Sequence, residues 1–176
     1  LPALITKLIY GTKFVFNYGY DYPAFALIEG KPIRAKLFSW LKPIILKLAT
    51  GVIVKNKSLG IDSYYLPNGV DVNQFCPPKR KLHRRIKTIL YVGRLEPQKN
   101  LTTLLIALAQ VKTKVKIIMV GQGNQTQKLL NLARQLKLNL VIKPSIAHSQ
   151  LPKVYRSTDL FVLPSLIEGS PKVLLE

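Results

Sequence analysis

Acidic side chains are scarce in this sequence, where 8 Asp and Glu stand against 27 Lys and Arg for a formal net charge of +19. That imbalance favours an anionic partner, such as nucleic acid, a phosphorylated ligand or an acidic membrane surface. Intrinsic disorder is excluded, because 48% of the 176 residues are hydrophobic, which is enough to build a core.

Cysteine and long apolar runs are also lacking. The single Cys76 excludes a disulfide framework and a cysteine-ligated zinc site. Lysine interrupts every apolar run before it reaches the roughly 20 residues that span a bilayer, so no transmembrane helix is predicted. We expect a piece of a longer polypeptide, because the chain begins at Leu1 without Met and stops at Glu176 inside a predicted helix.

The first part of the sequence alternates between strand and helix patterns. Apolar spacing predicts one helix, over 32–48, which Pro43 should kink or divide. The pattern predicts strands over 13–18, 51–54 and 63–67, with a Gly/Tyr/Asp/Pro loop over 19–23.

The second part alternates more regularly. It predicts strands over 88–93, 116–121, 140–144 and 159–164, helices over 101–111, 126–137 and 148–157, and a last helix that begins near Ser170. Nearly continuous apolar strands that alternate with helices are typical of a parallel sheet covered on both faces. The sequence therefore predicts an α/β protein whose second lobe is Rossmann-like.

A sharp change of composition separates the two parts. The basic run 79–87 follows a segment that is rich in Pro, Asn and Gly. We accordingly predict a first lobe over 1–67, an interlobe linker over 68–86 and a second lobe over 87–176.

Two cations follow the first strand of the second lobe. Arg94 comes directly after this strand, and Lys99 lies just before the next predicted helix. Ligands of parallel α/β sheets bind at the carboxyl ends of strands, where these cations would suit a phosphate or diphosphate. Spacing alone leaves open that both are solvated loop residues. Gly121 and Gly123 lack the third glycine of a dinucleotide fingerprint, so a strand-to-helix turn is the favoured explanation.

The last segment, PSLIEGSPKVLLE, concentrates unusual residues. Gly169 permits close backbone approach, and Pro171 suits the first turn of a helix. Glu168 is predicted in the loop, with Glu176 about two turns into the helix, so the two would not form an acid/base dyad. A carboxylate such as Glu176 can hold the two hydroxyls of a ribose, although two exposed carboxylates are the competing interpretation.

Four motifs in order resemble a known family. LPNGVDVNQF, YVGRLEPQKN, MVGQGNQ and DLFVLPSLIEGSPKVLLE are similar to the second half of family-four (group 1) retaining glycosyltransferases of the GT-B fold. The similarity is firm over 51–176 and looser before it. It implies two Rossmann-like lobes, of which the first is represented by its tail and the second is incomplete, and Asn68, Gly69 and Asp71 then form a structural interlobe segment.

The resemblance implies that a nucleotide-sugar donor binds in the cleft between the two lobes. Arg94 and Lys99 match the residues that bind the donor diphosphate, and Gly169, Ser170 and Pro171 match the stretch whose backbone contacts sugar and phosphate. The cations would stabilise charge on the leaving diphosphate, so neither a metal ion nor another cofactor is expected. The donor itself is expected to be a UDP- or GDP-sugar.

The same resemblance assigns the two acidic residues. Glu168 matches the catalytic glutamate that lies by the donor sugar and stabilises or orients it, whereas Glu176 matches the ribose-binding glutamate. Relatives act on sugar or lipid-linked acceptors, which implies a cytoplasmic protein that can lie at an anionic membrane surface. By itself, the 176-residue piece is expected to be inactive.

Other interpretations remain beside this one. A basic α/β nucleic-acid-binding module is the second candidate function, although no recognisable binding module is present and no nucleic acid partner is expected. The run 79–87 is expected to be a solvated linker or a lipid contact. In helix 32–48, lysines flank an apolar stripe with Trp40, which packs on its own sheet or meets a membrane. His148 is expected at the surface or at a helix start.

Overall fold

A computed structural model describes residues 2–19, 21–55, 62–78 and 85–176. The chain divides into two compact units, of which the first holds Leu1–Gly69 with Ile167–Pro171 and the second holds Val70–Leu166 with Lys172–Glu176. The short segment Ile167–Pro171 groups with the first unit, and residues 70–86 of the predicted linker group with the second. The predicted lobe bounds stay predictions. Most of the basic run, residues 79–84, lies outside the described residues.

The first unit is a small parallel sheet with helices. Its elements are α1 (Pro2–Tyr10), β1 (Val15–Tyr18), α2 (Tyr22–Ile28), α3 (Pro32–Leu48), β2 (Gly51–Val54) and β3 (Tyr64–Tyr65). The three strands are parallel in the order β1-β2-β3. Side chains of Tyr18, Val52 and Val54 form its buried core.

All three helices of this unit differ from the sequence prediction, which included neither α1 nor α2. Helix α3 continues through Pro43 without being divided. Pro43 has no N–H group to donate to the carbonyl of Ser39, four residues earlier in the helix. Both residues are exposed, so water can donate to that carbonyl instead. The predicted loop after β1 is shorter than expected because Tyr22 already begins α2, with Pro23 in its first turn.

The second unit contains a four-stranded parallel sheet. Its elements are β4 (Lys87–Val92), α4 (Leu101–Ala109), β5 (Val115–Val120), α5 (Thr126–Gln135), β6 (Asn139–Lys143), α6 (Leu151–Arg156) and β7 (Leu160–Phe161). Successive side chains of a strand point to opposite faces, so the apolar runs of β4 and β5 supply two cores. Tyr91, Ile117 and Met119 pack with α4 and α5 on one face. On the other face, Leu90 and Val120 pack with Leu151 of α6.

The order of the strands reverses once within this sheet. The order is β6-β5-β4-β7, so the chain moves outward from β4 through β5 to β6 and then returns across α6 to β7. The strand order therefore reverses between β4 and β7. In doubly wound sheets, ligands bind at such a reversal, outside the carboxyl ends of the strands.

The end of the chain departs from the predicted helix. The helical turn starts at Lys172, later than the expected Ser170, and its first three residues, Lys172–Leu174, are 3-10. The amide of Leu175 donates to the Lys172 carbonyl at 2.9 Å, the i to i+3 bond that is frequent at helix starts. Glu176 consequently lies one turn after Pro171, and the expectation of two turns was wrong.

Strand β7 and the helix before it are both shorter than predicted. The helix expected over 148–157 is a 3-10 turn, His148–Gln150, that leads into α6. The strand expected over 159–164 is paired only at Leu160 and Phe161. Within the described ranges, no helix has the length and apolar content needed to cross a bilayer.

Candidate functional site

The loop after β4 holds Arg94 at the reversal of strand order. The hydroxyl of Tyr91, which is fully buried, donates to the Arg94 carbonyl at 2.8 Å. The amide of Leu95 donates to the Gln122 carbonyl at 2.9 Å, which ties the same loop to the segment after β5. The backbone of Arg94 is therefore fixed from two sides, while its side chain is exposed.

The glycines after β5 make this arrangement possible. Gly121 has φ +150°, and a Cβ atom there would overlap the carbonyl oxygen of Gly93. A Cβ atom at Gly123 would overlap the carbonyl of Leu95. The Gly-x-Gly pair is thus required because the loop that carries Arg94 crosses directly over it. The sequence predicted only a strand-to-helix turn at these glycines and not this crossing.

A cleft of about 460 Å³ opens at this edge of the sheet. Its lining comes from the carboxyl ends of β4 and β5 and from the segment that joins β6 to α6: Val92, Gly93, Arg94, Val120, Gly121, Gln122, Ser145, Ile146 and Leu151. The volume lies in the range of small-molecule sites. Its walls combine apolar side chains with one guanidinium group, which can bind an anionic ligand through two parallel hydrogen bonds.

Lys99 lies in the same loop but does not line the cleft, as far as the described residues show. It ends the 3-10 turn Pro97–Lys99, and Asn100 then takes a left-handed conformation with φ 53° before α4 begins.

A hydrogen bond joins the two loops that flank the reversal of strand order. The Gln98 carbonyl, in the loop after β4, accepts it from the amide of Leu166, in the loop after β7, at 2.9 Å. Nearby, the Ser165 hydroxyl is buried without a hydrogen-bond partner among the described residues.

Glu176 lies in a cluster of polar side chains in the second unit. Its Oε1 is 2.7 Å from Nε2 of His148 and 3.7 Å from Nζ of Lys172. The hydroxyl of Tyr155 lies 3.3 Å from Oε2 and 3.3 Å from the Val173 carbonyl, so its one hydrogen is shared between these two acceptors. The Glu176 side chain is only 2% exposed, so its carboxylate is enclosed by these partners. Burial, together with the neighbouring Glu176 carboxylate, raises the pKa of Tyr155 well above its ordinary value of 10.0.

This cluster stands beside the cleft. His148 follows Ile146 by two residues, and Ile146 lines the cleft. Tyr155 comes from α6 on the same face of the sheet, where both it and Val173 pack against the buried core. His148 lies at the surface, at the start of a 3-10 turn, as predicted, whereas its contact with Glu176 was not predicted.

Residues 168–171 belong to the first compact unit. There, Nδ2 of Asn68 donates to the Ser170 carbonyl at 2.5 Å. Glu168, Gly169 and Pro171 are half-buried. The roles predicted for this segment at the donor sugar and diphosphate stay predictions.

Asp71 stabilises the turn that opens the second unit. Its Oδ1 accepts a hydrogen bond from the amide of Asn73 at 2.9 Å, and its carbonyl accepts one from Phe75 at 2.9 Å. These contacts agree with a structural role for the PNGVD motif. No group of three or more His, Cys, Asp or Glu residues within metal-binding reach occurs in the described ranges.

Comparison with known proteins gives a family and several relatives. A family model described as glycosyl transferases group 1 matches residues 74–176, more than half of the chain. A phosphatidyl-myo-inositol mannosyltransferase of Mycobacterium tuberculosis is 33% identical over 115 residues, which cover 62% of this chain and 30% of the relative. A UDP-Gal:alpha-D-GlcNAc-diphosphoundecaprenol alpha-1,3-galactosyltransferase of Escherichia coli is 28% identical over 180 residues, covering 87% of this chain and 46% of the relative.

Solved structures agree on the fold. Anabaena Alr3699/HepE, solved in complex with UDP and glucose, superposes with a TM-score of 0.76 at 18% identity. The similarity covers 98% of this chain and 52% of that one. The predicted GT-B-like α/β fold is therefore confirmed, and the chain spans about a third to a half of the length of the curated relatives it matches.

Proposed function

Because the chain belongs to the group 1 glycosyl transferases, we propose that the protein transfers a sugar from a nucleoside-diphosphate sugar to an acceptor. The observation that carries the proposal is the cleft of about 460 Å³ at the carboxyl ends of β4 and β5, with Arg94 in its wall. This is the edge at which doubly wound sheets bind nucleotides. The donor nucleotide occupies the cleft, and a UDP- or GDP-sugar is the proposed substrate.

Charge neutralisation at the leaving group is the central catalytic task in this proposal. Breaking the bond between sugar and diphosphate leaves an additional negative charge on the diphosphate, which Arg94 and Lys99 stabilise. Cations that are already in place stabilise such charge without the reorganisation that water would need. Support comes from the fixed backbone of Arg94, held by Tyr91 and by the hydrogen bond of Leu95 to Gln122. The proposal assigns no step to a resident metal ion or other cofactor.

The remaining donor contacts are assigned to the last segment. Glu176 holds the two hydroxyls of the donor ribose, and its nearness to the cleft through His148 and Ile146 supports this role. Glu168 orients or stabilises the reacting sugar, and the backbone of Gly169, Ser170 and Pro171 contacts sugar and phosphate. These latter roles, and retention of the anomeric configuration of the sugar, rest on the family resemblance.

The acceptor is proposed to be a sugar or a lipid-linked molecule. The names of the two relatives above specify a phosphatidyl-myo-inositol and a diphosphoundecaprenol acceptor. Helix α3 offers a second support, since Ile33, Leu37 and Trp40 are 86%, 49% and 65% exposed on one helical stripe. Lys36 and Lys47 are exposed on the same helix. We therefore place the protein at the cytoplasmic face of an anionic membrane.

Titration of the full-length protein with UDP, GDP and a short DNA duplex tests the proposal. One nucleoside diphosphate should bind, and duplex binding should be weak and should vanish as salt is raised. An Arg94→Ala variant should lose most of the nucleotide affinity. Lys128→Ala, which removes an exposed cation from α5, is the matched control and should bind as wild type. Tight duplex binding without nucleotide binding would favour the nucleic-acid-binding module and reject the transferase.

A further inference from the structure

The carboxylate of Glu176 is held by two side chains that come from other elements. His148 belongs to the 3-10 turn after β6, and Tyr155 belongs to α6. Each bonds to a different oxygen, because Nε2 of His148 is 2.7 Å from Oε1 and the Tyr155 hydroxyl is 3.3 Å from Oε2. The carboxylate plane is therefore fixed at both ends. A single hydrogen bond would leave it free to rotate.

The distances between the nitrogen and oxygen atoms of this cluster show which atoms carry hydrogens. Nε2 of His148 is 2.7 Å from Glu176 and 3.5 Å from Nζ of Lys172. A single ring nitrogen can donate to Glu176 or accept from Lys172, but it cannot do both. The shorter contact settles the choice, so Nε2 carries a hydrogen and donates it to Glu176. The Tyr155 hydroxyl also points its single hydrogen at Oε2, and shares it with the equally distant Val173 carbonyl at 3.3 Å.

This arrangement leaves Glu176 able to accept two more hydrogen bonds. A carboxylate has about four lone-pair positions, two on each oxygen. His148 takes one position on Oε1 and Tyr155 takes one on Oε2, so one position remains on each oxygen. Two neighbouring hydroxyl groups of a ribose would fill these positions.

Access to those positions depends on Lys172. The side chains of His148 and Lys172 are 50% and 48% exposed, whereas that of Glu176 is 2% exposed. The Nζ of Lys172 lies 3.7 Å from Oε1, which is longer than a hydrogen bond. Lys172 can therefore swing into solvent at little cost, while His148 keeps its shorter bond.

Aromatic packing fixes the two donors from behind. The ring of Phe75 lies 5.2 Å from the ring of His148 and 6.0 Å from that of Tyr155. The Tyr155 ring also lies 5.6 Å from that of Phe161 in β7. Rings at such separations attract one another and restrict rotation of the side chains. The donors are thus held by the core of the second unit.

We propose that His148 and Tyr155 are positioning residues that orient the Glu176 carboxylate to bind both hydroxyl groups of the donor ribose. The inference rests on the proposed function, because it presumes that Glu176 meets a ribose. It assigns no contact between His148 and the donor. A surface ion pair between His148 and Glu176 would instead stabilise the fold and would leave nucleotide selection unchanged.

The test compares binding of a ribonucleotide with binding of its 2′,3′-dideoxy analogue. The probe is whichever of UDP and GDP binds wild-type full-length protein more tightly, measured by calorimetry. The wild type should prefer the ribonucleotide, and Glu176→Gln should lose that preference. His148→Ala should weaken ribonucleotide binding about tenfold, the equivalent of about 1.4 kcal/mol, and should leave binding of the dideoxy analogue within about twofold of wild type.

Two further variants guard against a misfolded protein. Tyr155→Phe keeps the ring and removes only the hydroxyl, so it should show a smaller loss that is again confined to the ribonucleotide. His148→Gln, whose amide can donate to Glu176, should recover most of the affinity lost in His148→Ala. Ser149→Ala, at an exposed neighbour, is the control and should match wild type.

The possible failures are distinguishable. The positioning role would be overturned if a variant lost affinity equally for both nucleotides. It would also be overturned if His148→Ala or Tyr155→Phe lost no affinity for the ribonucleotide. If those variants have no selective effect while Glu176→Gln abolishes the ribose preference, the proposed donor site stands and only the positioning role is rejected. A wild-type protein that does not distinguish the two nucleotides would reject the ribose site itself, and the positioning role with it.

Discussion

Substitution of Gly121 by alanine tests how the loop that carries Arg94 is built. The new Cβ atom would overlap the Gly93 carbonyl oxygen. Gly121 also has φ +150°, a backbone conformation that residues other than glycine rarely adopt. Overpacking of a tight contact costs roughly 1–3 kcal/mol, and a sparsely populated backbone conformation costs a further 1–3 kcal/mol or so. The free energy of unfolding should therefore fall by about 2–6 kcal/mol.

Such a loss is large against the total stability of a domain, which is roughly 5–15 kcal/mol. Urea unfolding followed by far-UV circular dichroism measures it. Gly19→Ala is the matched control, because a Cβ atom there would meet nothing within 4 Å. Its free energy of unfolding should stay within about 0.5 kcal/mol of wild type.

Nucleotide binding gives a second measurement on the same variant. The Gly93 carbonyl must move to admit the new methyl group, and Arg94 follows it directly in the chain. Gly121→Ala should therefore bind a nucleoside diphosphate more weakly wherever it remains folded. A variant as stable as Gly19→Ala, with unchanged nucleotide affinity, would refute the claim that the Gly-x-Gly pair exists to seat the Arg94 loop.

Two hydroxyl groups in the second unit lead to further predictions. Tyr91→Phe removes the 2.8 Å bond to the Arg94 carbonyl, so urea unfolding should show a loss of about 1 kcal/mol. The exposed Tyr10→Phe should show none, and equal stabilities would contradict the role of that bond. The raised pKa of Tyr155 means that native Tyr155 keeps its proton where an unfolded tyrosine loses it. Stability should therefore fall as the pH rises above 10, more steeply in wild type than in Tyr155→Phe, and parallel urea midpoints across this range would contradict the raised pKa.

The sequence predicted the centre of the second unit well. Strands β4 and β5 are continuous apolar runs because both of their faces are covered, and such runs are visible without a structure. Gly93 and Arg94 were placed correctly at the end of β4 for the same reason. Once the strands are located, the residue that follows each one lies at the carboxyl edge.

Other elements gave no such signal. Helix α1 buries none of its residues, so its apolar side chains do not mark a buried face. The start of the last helix was predicted two residues too early, because Pro171 suggests where a helix begins but not whether the first turn is 3-10 or α.

The pairing of His148 with Glu176 could not be predicted from the residues. The two are separated by 28 positions, and their contact exists because α6 crosses to the opposite face of the sheet before β7. A histidine at the start of a short helix carries no sign of that crossing. Tyr155 was hidden for the same reason, since its hydroxyl reaches Glu176 only in the folded unit.

The central claim is that Arg94 and Lys99 stabilise the leaving diphosphate of a sugar donor. Its most direct test is kcat/KM for sugar transfer by the full-length enzyme with Arg94→Ala and Lys99→Ala combined. The value should decrease by about 10²–10⁴-fold and should be unchanged in Lys128→Ala. Kinetics of the double variant equal to those of wild type would contradict it.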